Sequence, residues 1–542
     1  MRVSGFDHAT LYHALCSHDA RFDGRVFVGC KTTGIYCRPV CRVRTPREEN
    51  CHFFASAAAA EAQGFRPCLK CRPELAPGLA PIDAGAHLAR RAALIIEAEV
   101  AGKNVTRLAK ALEVSDRHLR RVFEAEFGVT PIQYLQTKRL LLAKSLLTDT
   151  RLPISGIALT AGFRSVRRFN ELFKHNYRLT PRDFRKGAEQ DVDTQSGITV
   201  LLGYRPPYRW DTLLAFLATR AITGVEQVEN GCYRRTVRMT VPVRPLTQDD
   251  EGRSPQAPRA SQASSRMLRT PSQTSTAEHL GWLSVAHVPK KCALAVTVSP
   301  SLLPVLERVL ARVRFLFDLN ASPQAIDERL AALNDLRDGL HVSGTRVPGC
   351  FEPFEMAVRA VLGQQITVKA ARTLAQRLAA TLGTPVETPF EGLTTVFPSP
   401  RTISALSKPV ADVLGPLGII GSRSRSIHAL AYALDSNTLS LMPTDEPLEQ
   451  MRRLGELPGF GPWTVQYVAL RALGWPDAFL PTDYGVKKAL EAVVPGASDP
   501  KQALMLSEAW RPWRSYATLD LWNSLATAAA TDVKTKTAES VR

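Results

Sequence analysis

Four cysteines stand in two close pairs near the start of the chain, Cys37-x3-Cys41 and Cys68-x2-Cys71, with 26 residues between the pairs. Thiols three or four positions apart reach one ion only where the backbone between them turns tightly, so each pair is a knuckle. Two knuckles supply the four thiolates of a tetrahedral zinc site. This requirement shapes the surrounding segment before any hydrophobic core does, because in so small a module the metal contributes on the order of 10 kcal/mol or more of folding free energy. From the spacing alone, a purely structural zinc is the plain reading.

The rest of the chain needs cores of its own. At 542 residues it exceeds what one hydrophobic core supports, and ordinary domain sizes predict three or four domains. The formal charge of +18 is uneven, since residues 1–190 hold 31 Lys/Arg against 18 Asp/Glu, which is +13 of the total. The first third is therefore where an anionic partner, nucleic acid above all, is expected to bind. No charged leader runs into an apolar stretch, and no run of about 18 or more apolar residues occurs, so neither secretion nor membrane insertion is expected. In the cytoplasm that this predicts, the seven cysteines before residue 72 are metal ligands or free thiols rather than disulfides. Cys16, Cys30 and Cys51 lie outside the ligand spacing and are expected as buried or free thiols.

Patterning divides the chain into a multidomain fold. Residues 1–80, rich in Cys and Arg with a short helix over 55–63, form a small zinc-stapled α/β module. Residues 81–190 have helical apolar spacing, with caps at Ser115 and Thr130-Pro131, and form an all-α region of two similar units. Residues 190–196 are a polar linker. Residues 197–310 form an α+β module, with strands over 198–202, 237–243, 282–285 and 293–298 around a helix over 210–221. Its segment 245–277, dominated by Ser, Thr, Gln, Pro and Arg, has too few apolar residues to offset ordering and is expected as a disordered insertion. Residues 311–528 form an all-α domain, and 529–542 a flexible tail.

The residues around the knuckles carry a resemblance. Thr32-Thr33-Gly34-Ile35-Tyr36-Cys37-Arg38-Pro39-Val40-Cys41 and Gly64-Phe65-Arg66-Pro67-Cys68-Leu69-Lys70-Cys71 resemble the N-terminal domain of Ada-type alkylation-response proteins. The resemblance implies that Cys37, held on zinc with Cys41, Cys68 and Cys71, irreversibly accepts a methyl group from a DNA methylphosphotriester. Zinc keeps such a thiolate deprotonated yet nucleophilic. Four thiolates around Zn²⁺ make an anionic cluster that repels phosphate, and methylating one sulfur halves that charge, so DNA affinity is expected to rise after repair. Arg38, Arg42, Arg44, Arg47 and Arg66 are phosphate-contact candidates, and each is equally a solvated surface charge.

Within residues 81–190, 20 Lys/Arg face 11 Asp/Glu, and two segments have helix-turn-helix character. The first runs from Leu108 through Ser115 into Asp116–Phe123. The second runs from Ile157 through Gly162-Phe163 into Arg164–Phe173 and ends in Leu179-Thr180-Pro181-Arg182-Asp183-Phe184-Arg185. Helical hairpins packing only on their neighbours are the alternative. The second segment resembles the AraC-type signature, which implies promoter binding with Arg117, His118, Arg120, Arg121, Arg167 and Arg168 facing DNA.

The third constellation is Leu457-Pro458-Gly459-Phe460-Gly461, followed 22 residues later by Asp483. Closely spaced glycines let backbone amides approach a phosphate, although a turn between two packed helices has the same composition. Asp483 by itself is equally a helix cap. From about residue 203 to 526 the chain resembles AlkA-type 3-methyladenine DNA glycosylases. The resemblance rests on Tyr204-Arg205-Pro206-Pro207-Tyr208-Arg209-Trp210, Leu316–Leu319, Pro348-Gly349-Cys350, Arg359–Gln365, the hairpin, and Trp510–Ala517. It implies an AlkA N-terminal-like module followed by a helix-hairpin-helix glycosylase domain. Gly459 and Gly461 then grip a DNA phosphate, with a monovalent cation at the hairpin, and Asp483 stabilises the oxocarbenium-like sugar as the base leaves. Trp463, Tyr467 and Trp522 line the pocket for the flipped base, where aromatic faces favour a cationic, alkylated purine by roughly 0.5 to 2 kcal/mol. Ordinary core packing is the other role open to these rings.

Lyase members of the superfamily carry a Schiff-base lysine where this chain has Trp463, which implies a monofunctional enzyme. Gln365 occupies the wedge position, where an apolar residue is usual in the resembled family. An iron–sulfur cysteine set is missing, since only Cys350 follows residue 292, and no Pro-Cys-His-Arg element occurs.

The expected protein is a bacterial alkylation-repair and response factor. It joins a methyl acceptor, a promoter-binding region and a glycosylase that excises bases such as 3-methyladenine. Its partners are double-stranded, alkylated and promoter DNA, together with RNA polymerase. It is expected to be a monomer, cytoplasmic and nucleoid-associated. The alternative is a transcriptional regulator whose glycosylase half is an inactive DNA clamp.

Overall fold

The computed structural model describes residues 6–76, 87–98, 108–110, 112, 114–186, 197–242, 276–442 and 447–539. The N-terminal module is a four-stranded sheet in the order β3-β1-β2-β4, made of β1 (Phe27–Cys30), β2 (Ile35–Cys37), β3 (Cys51–Phe54) and β4 (Arg66–Pro67). β1 pairs antiparallel with both neighbours, whereas β2 and β4 are parallel, with Ile35 opposite Arg66 and Tyr36 opposite Pro67. The helix His8–Cys16 closes one face with Leu11 and Leu15 on Val26, Val28 and Phe53. The Ser56 hydroxyl caps the helix Ala57–Ala62 by accepting from the Ala59 amide.

Two units of one design follow. Ser115 caps the helix Asp116–Phe127 through the His118 amide, and Ser165 caps Val166–Tyr177 through the Arg168 amide. Each helix buries a matching stripe four residues apart, Leu119-Phe123-Phe127 and Phe169-Phe173-Tyr177. Each ends on a left-handed residue, Gly128 or Arg178, before a Thr-Pro that opens the next helix. The long helix Pro131–Asp149 lies between the units. Its apolar residues run round the helix because both of its sides are covered, with Leu140, Leu146 and Leu147 buried against one unit and Tyr134 against the other.

The α+β module is a five-stranded antiparallel sheet in the order β5-β9-β8-β7-β6. Its strands are β5 (Ile198–Gly203), β6 (Glu226–Glu229), β7 (Cys232–Pro242), β8 (Thr276–Val288) and β9 (Ala293–Val298), and the helix Trp210–Ala218 packs on it. β7 begins five residues earlier than the apolar pattern predicts, and β6 was not expected. Charge hid both: Arg235 is buried against Glu355 in β7, with Glu226 and Arg359 paired beside them, so polar residues open a core strand, while β6 is a partly exposed edge strand. Of the insertion expected over 245–277, Thr276 and Ala277 open β8, and the rest lies outside the described residues, as does the linker 190–196. The C-terminal domain is helical except for the pair β10 (Thr384–Pro385) and β11 (Thr395–Val396). The helix Arg514–Glu539 runs through most of the expected tail, a Thr/Ala/Lys-rich stretch with no Gly or Pro to stop it.

The parts dock through buried polar contacts. Arg205 is fully buried, with Nε donating to the Asp23 carbonyl at 2.9 Å and Nη1 to the Asn320 and Ala321 carbonyls at 3.0 and 3.1 Å. Arg72, next to Cys71, forms a bidentate pair with Asp149 at 2.6 and 2.7 Å, and Lys144 reaches Glu74 at 2.5 Å. The N-terminal module therefore rests on the helix shared by the two helical units and touches the α+β module.

Candidate active site and metal centre

Asp483 is both a helix cap and a pocket carboxylate. It N-caps Tyr484–Glu491, with Oδ1 accepting from the Val486 amide at 3.1 Å. Oδ1 also accepts from the Trp522 indole at 2.9 Å, and Oδ2 accepts from the Trp463 indole at 3.1 Å. Three N–H donors thus fix one half-buried carboxylate between two rings. Trp463 stacks on Tyr467 with centroids 5.2 Å apart and 15° between planes, and Tyr467 lies 6.3 Å from Trp522. The three rings expected to line a base pocket are therefore gathered around Asp483.

The structure adds residues that the sequence reading missed. Phe216, from the α+β module, lies parallel to Trp522 at 6.2 Å. The Arg220 guanidinium sits 3.6 Å from the Phe216 ring centre. Arg471 faces the same ring at 4.9 Å and donates to the Tyr467 hydroxyl at 3.1 Å. Burial raises the pKa of the Tyr467 phenol, but Arg471 and Arg220 outweigh it and the net shift is downward. Burial lowers that of Arg220. Arg471 belongs to a π-helical segment, Ala469–Leu473, and its guanidinium is held by the Pro348 and Gly349 carbonyls. A lone arginine within Val468-Ala469-Leu470-Arg471-Ala472-Leu473 was the available sequence signal. Phe216 and Arg220 had none, because only the docking of two modules brings them in.

Arg220, Trp463, Tyr467, Arg471, Asp483 and Trp522 line a cavity of about 1590 Å³ that extends to the hairpin. Gly459 has φ +81°, and a Cβ there would lie 2.1 Å from the Ser426 hydroxyl oxygen. Its carbonyl accepts from the Gln364 side chain at 2.8 Å, which also donates to the Thr464 hydroxyl at 2.9 Å. Gly461 is exposed and caps the helix Pro462–Val468. Gln365 is exposed at φ +57°, at the turn between the helices Pro353–Leu362 and Val368–Leu382. Wedge candidate, hairpin and carboxylate thus open onto one cavity.

In the N-terminal module the sulfurs of Cys37, Cys41, Cys68 and Cys71 all lie within 4.8 Å of one another. The β2–β4 register does this, with the Cys68 amide donating to the Tyr36 carbonyl at 2.9 Å so that the two knuckles face each other. Zinc–sulfur bonds of about 2.3 Å place tetrahedral sulfurs about 3.8 Å apart, so the four free thiols fit zinc. Cys41 and Cys68 are buried, while Cys37 and Cys71 reach the surface.

Arg38 corrects an expectation. Rather than facing phosphate it is buried, with Nε 2.9 Å from the Asp23 carboxylate and Nη1 donating to the Cys71 carbonyl at 3.3 Å. Its charge is neutralised inside the module. Arg42, Arg44 and Arg47 are exposed and Arg66 is half-buried. On the two capped helices Arg117, His118, Arg120, Arg121, Arg167 and Arg168 are all exposed. Arg120 pairs with Asp116 at 3.0 Å and Arg167 with Glu171 at 3.1 Å, exposed contacts worth little and readily exchanged.

Fold and sites together define a DNA-repair chain in which a helix-hairpin-helix base-excision domain is joined to a thiolate metal module and paired DNA-binding helices. Family models match all four parts: the metal binding domain of Ada over 10–74, a helix-turn-helix domain over 108–187, the AlkA N-terminal domain over 199–352, and the HhH-GPD superfamily of base excision DNA repair proteins over 358–515. A probable bifunctional transcriptional activator/DNA repair enzyme AlkA of Mycobacterium tuberculosis is 35% identical over 529 residues, spanning 96% of this chain and 97% of the relative. DNA-3-methyladenine glycosylase 2 of Escherichia coli is 31% identical over 321 residues, 59% of this chain and 95% of its own length. The Escherichia coli bifunctional transcriptional activator/DNA repair enzyme Ada is 32% identical over 179 residues, 33% of this chain and 49% of its own. The chain belongs to the family of bifunctional AlkA transcriptional activator/DNA repair enzymes. Among the described residues no helix is long and apolar enough to cross a membrane.

Proposed function

We propose that this protein excises alkylated bases such as 3-methyladenine from DNA by hydrolysis, without cutting the strand. The single observation that carries this reading is the Asp483 carboxylate, oriented by the Trp463 and Trp522 indoles at the wall of an aromatic pocket. The hairpin amides at Gly459 and Gly461 hold a phosphate, Gln365 fills the gap in the stack, and the flipped base enters between Trp463, Tyr467 and Trp522. As the glycosidic bond breaks, its electron pair leaves with the base. Asp483 faces the positive sugar and orients the water that attacks C1′. Among the described residues no lysine lines the cavity, which supports hydrolysis over Schiff-base chemistry. A monovalent cation at the hairpin would be held by its backbone carbonyls, of which that of Gly459 keeps one lone pair beside its hydrogen bond from Gln364.

The N-terminal module complements this with methyl transfer. When bound, zinc keeps the cysteine sulfurs anionic at neutral pH. The Cys37 sulfur attacks the methyl carbon of a methylphosphotriester, an S–C bond forms, the C–O bond breaks, and the phosphodiester departs with the electron pair. Arg42, Arg44, Arg47 and Arg66 attract the backbone, and the exposed residues of the capped helices bind promoter DNA near RNA polymerase. The protein acts as a monomer in the cytoplasm, at the nucleoid.

The test compares wild type with Asp483→Asn on methylated duplex DNA, measuring free 3-methyladenine and strand breaks. Base release by wild type alone, with strands intact, is expected. Equal release by both proteins, or by neither, overturns the mechanism and favours an inactive clamp. For the acceptor, intact-mass and peptide analysis after exposure to methylphosphotriester DNA should place one methyl group on Cys37. A methyl on another cysteine, or on none, removes Cys37 from that role.

A further inference from the structure

Three cysteines of the N-terminal module lie outside the metal cluster, and two of them face each other. Cys30 ends β1 and Cys51 begins β3, and the antiparallel register sets them directly opposite, in line with Val28 and Phe53. The Lys31 amide donates to the Asn50 carbonyl at 2.9 Å, so 31 and 50 form a hydrogen-bonded rung and 30 and 51 the non-hydrogen-bonded rung beside it. The Cys30 carbonyl agrees with this, since it accepts from the Gly34 amide at 2.9 Å on the opposite, β2 side. Opposed residues at such a rung have Cα atoms about 4.5 Å apart, within the range of about 4.4 to 6.8 Å that a disulfide spans. Their side chains share one face of the sheet. Cys51 is buried on that face beside Leu11, Leu15 and Val28, whereas Cys30 is partly exposed.

We propose that Cys30 and Cys51 are a redox-active dithiol that hydrogen peroxide converts to a cross-strand disulfide, a modification site separate from the metal-ligating quartet. Cys30 is the entry point, because peroxide reaches it from solvent. Its sulfur lies 3.1 Å from the Thr32 hydroxyl. Burial raises its pKa, but hydrogen bonds from Thr32 and Thr33 outweigh that and lower it, whereas burial pushes the Cys51 thiol up to about 11. The thiolate of Cys30 attacks one peroxide oxygen; an S–O bond forms, the O–O bond breaks, and the departing hydroxide takes a proton to become water. Cys51 then loses its proton and its sulfur attacks the sulfenic sulfur of Cys30, expelling the hydroxyl group as a second water. Two thiols and one peroxide become one disulfide and two waters.

The cross-link would act on the presentation of the metal site without consuming a ligand. The segment it closes contains Cys37 and Cys41 together with the exposed Arg42, Arg44 and Arg47. It forms on the β3 side of the sheet, whereas Cys68 follows β4 at the other edge. Oxidation thus pins both ends of the arginine-bearing loop.

The experiment treats full-length, zinc-loaded protein with hydrogen peroxide, caps the remaining thiols with N-ethylmaleimide, and maps the digest by mass spectrometry while a chromogenic chelator follows released zinc. The expected result is a Cys30–Cys51 peptide lighter by two hydrogens, reversed by dithiothreitol and formed before zinc release. It should be lost in Cys51→Ala and in Cys30→Ser, with the zinc content of each variant reporting its fold. Over-oxidation of Cys30 with Cys51 still free overturns the proposal. So does a link from Cys51 to Cys16 or to a metal ligand, or oxidation of the quartet first.

Discussion

Asp483 shows how one residue carries two roles without conflict, because a helix cap needs one lone pair of a carboxylate and leaves the rest for the pocket. One oxygen serves the Val486 amide and the Trp522 indole, and the other serves Trp463. Trp522→Phe keeps an aromatic face and removes one donor. Single-turnover excision should fall about 10- to 100-fold, as expected for losing a hydrogen bond to a charged group worth about 1.5 to 3 kcal/mol, with little change in melting temperature. Gly459 is constrained twice, by φ +81° and by Ser426. Gly459→Ala should cost about 1 kcal/mol or more of stability and weaken binding to undamaged duplex as well, measured by denaturant melts and fluorescence anisotropy. Asp483 and Gly459 were legible in the sequence because they lie in the motifs that carry the family resemblance. Arg38 was not, since nothing local shows that Asp23 will fold over it.

Among elements, the repeated Ser-capped helices were readable from caps and period, and their exposed arginines followed from the buried stripe. The first five residues of β7 were not readable, because Arg235 counts as polar until Glu355 is found 2.8 Å away. The helix Arg514–Glu539 carries Trp522 and is anchored two residues earlier by a triad whose His341 and Asp520 are buried. His341 Nδ1 lies 2.7 Å from Asp520 and Nε2 lies 3.1 Å from Asp327. Burial lowers the pKa of His341, but the two carboxylates outweigh it and push it up to about 9. With the folded value above an unfolded value of about 6.5, the stabilisation is complete below about 6.5 and is lost as pH rises through about 9. The melting-temperature advantage of wild type over His341→Gln should therefore shrink between neutral pH and pH values above 9; an advantage that stays constant would contradict the triad's role.

The whole molecule is joined by side chains that no single part requires. Arg205 donates to a carbonyl of the zinc module and to two carbonyls of the glycosylase half. Arg205→Ala leaves buried acceptors without partners at about 1 to 3 kcal/mol each. Hydrogen exchange should rise around Asp23 and around Asn320–Ala321 together, and unchanged exchange would show that the docking does not depend on it. Zinc removal by a strong chelator should melt the N-terminal module and spare base excision; the check is circular dichroism alongside the release assay.

The cysteine quartet, the paired helix units and the hairpin with Asp483 were readable in the amino-acid sequence because each shows as residue type at short spacing, whereas the chemistry expected of them came from the family resemblance. The folded chain was needed to show that Arg220 and Arg471 line the pocket with Phe216 packed on Trp522, that Arg38 is interior, and that Cys30 faces Cys51. Those outcomes depend on strand register and on the docking of segments far apart in the chain. There, buried partners rather than local pattern decide what a charged, aromatic or thiol side chain does.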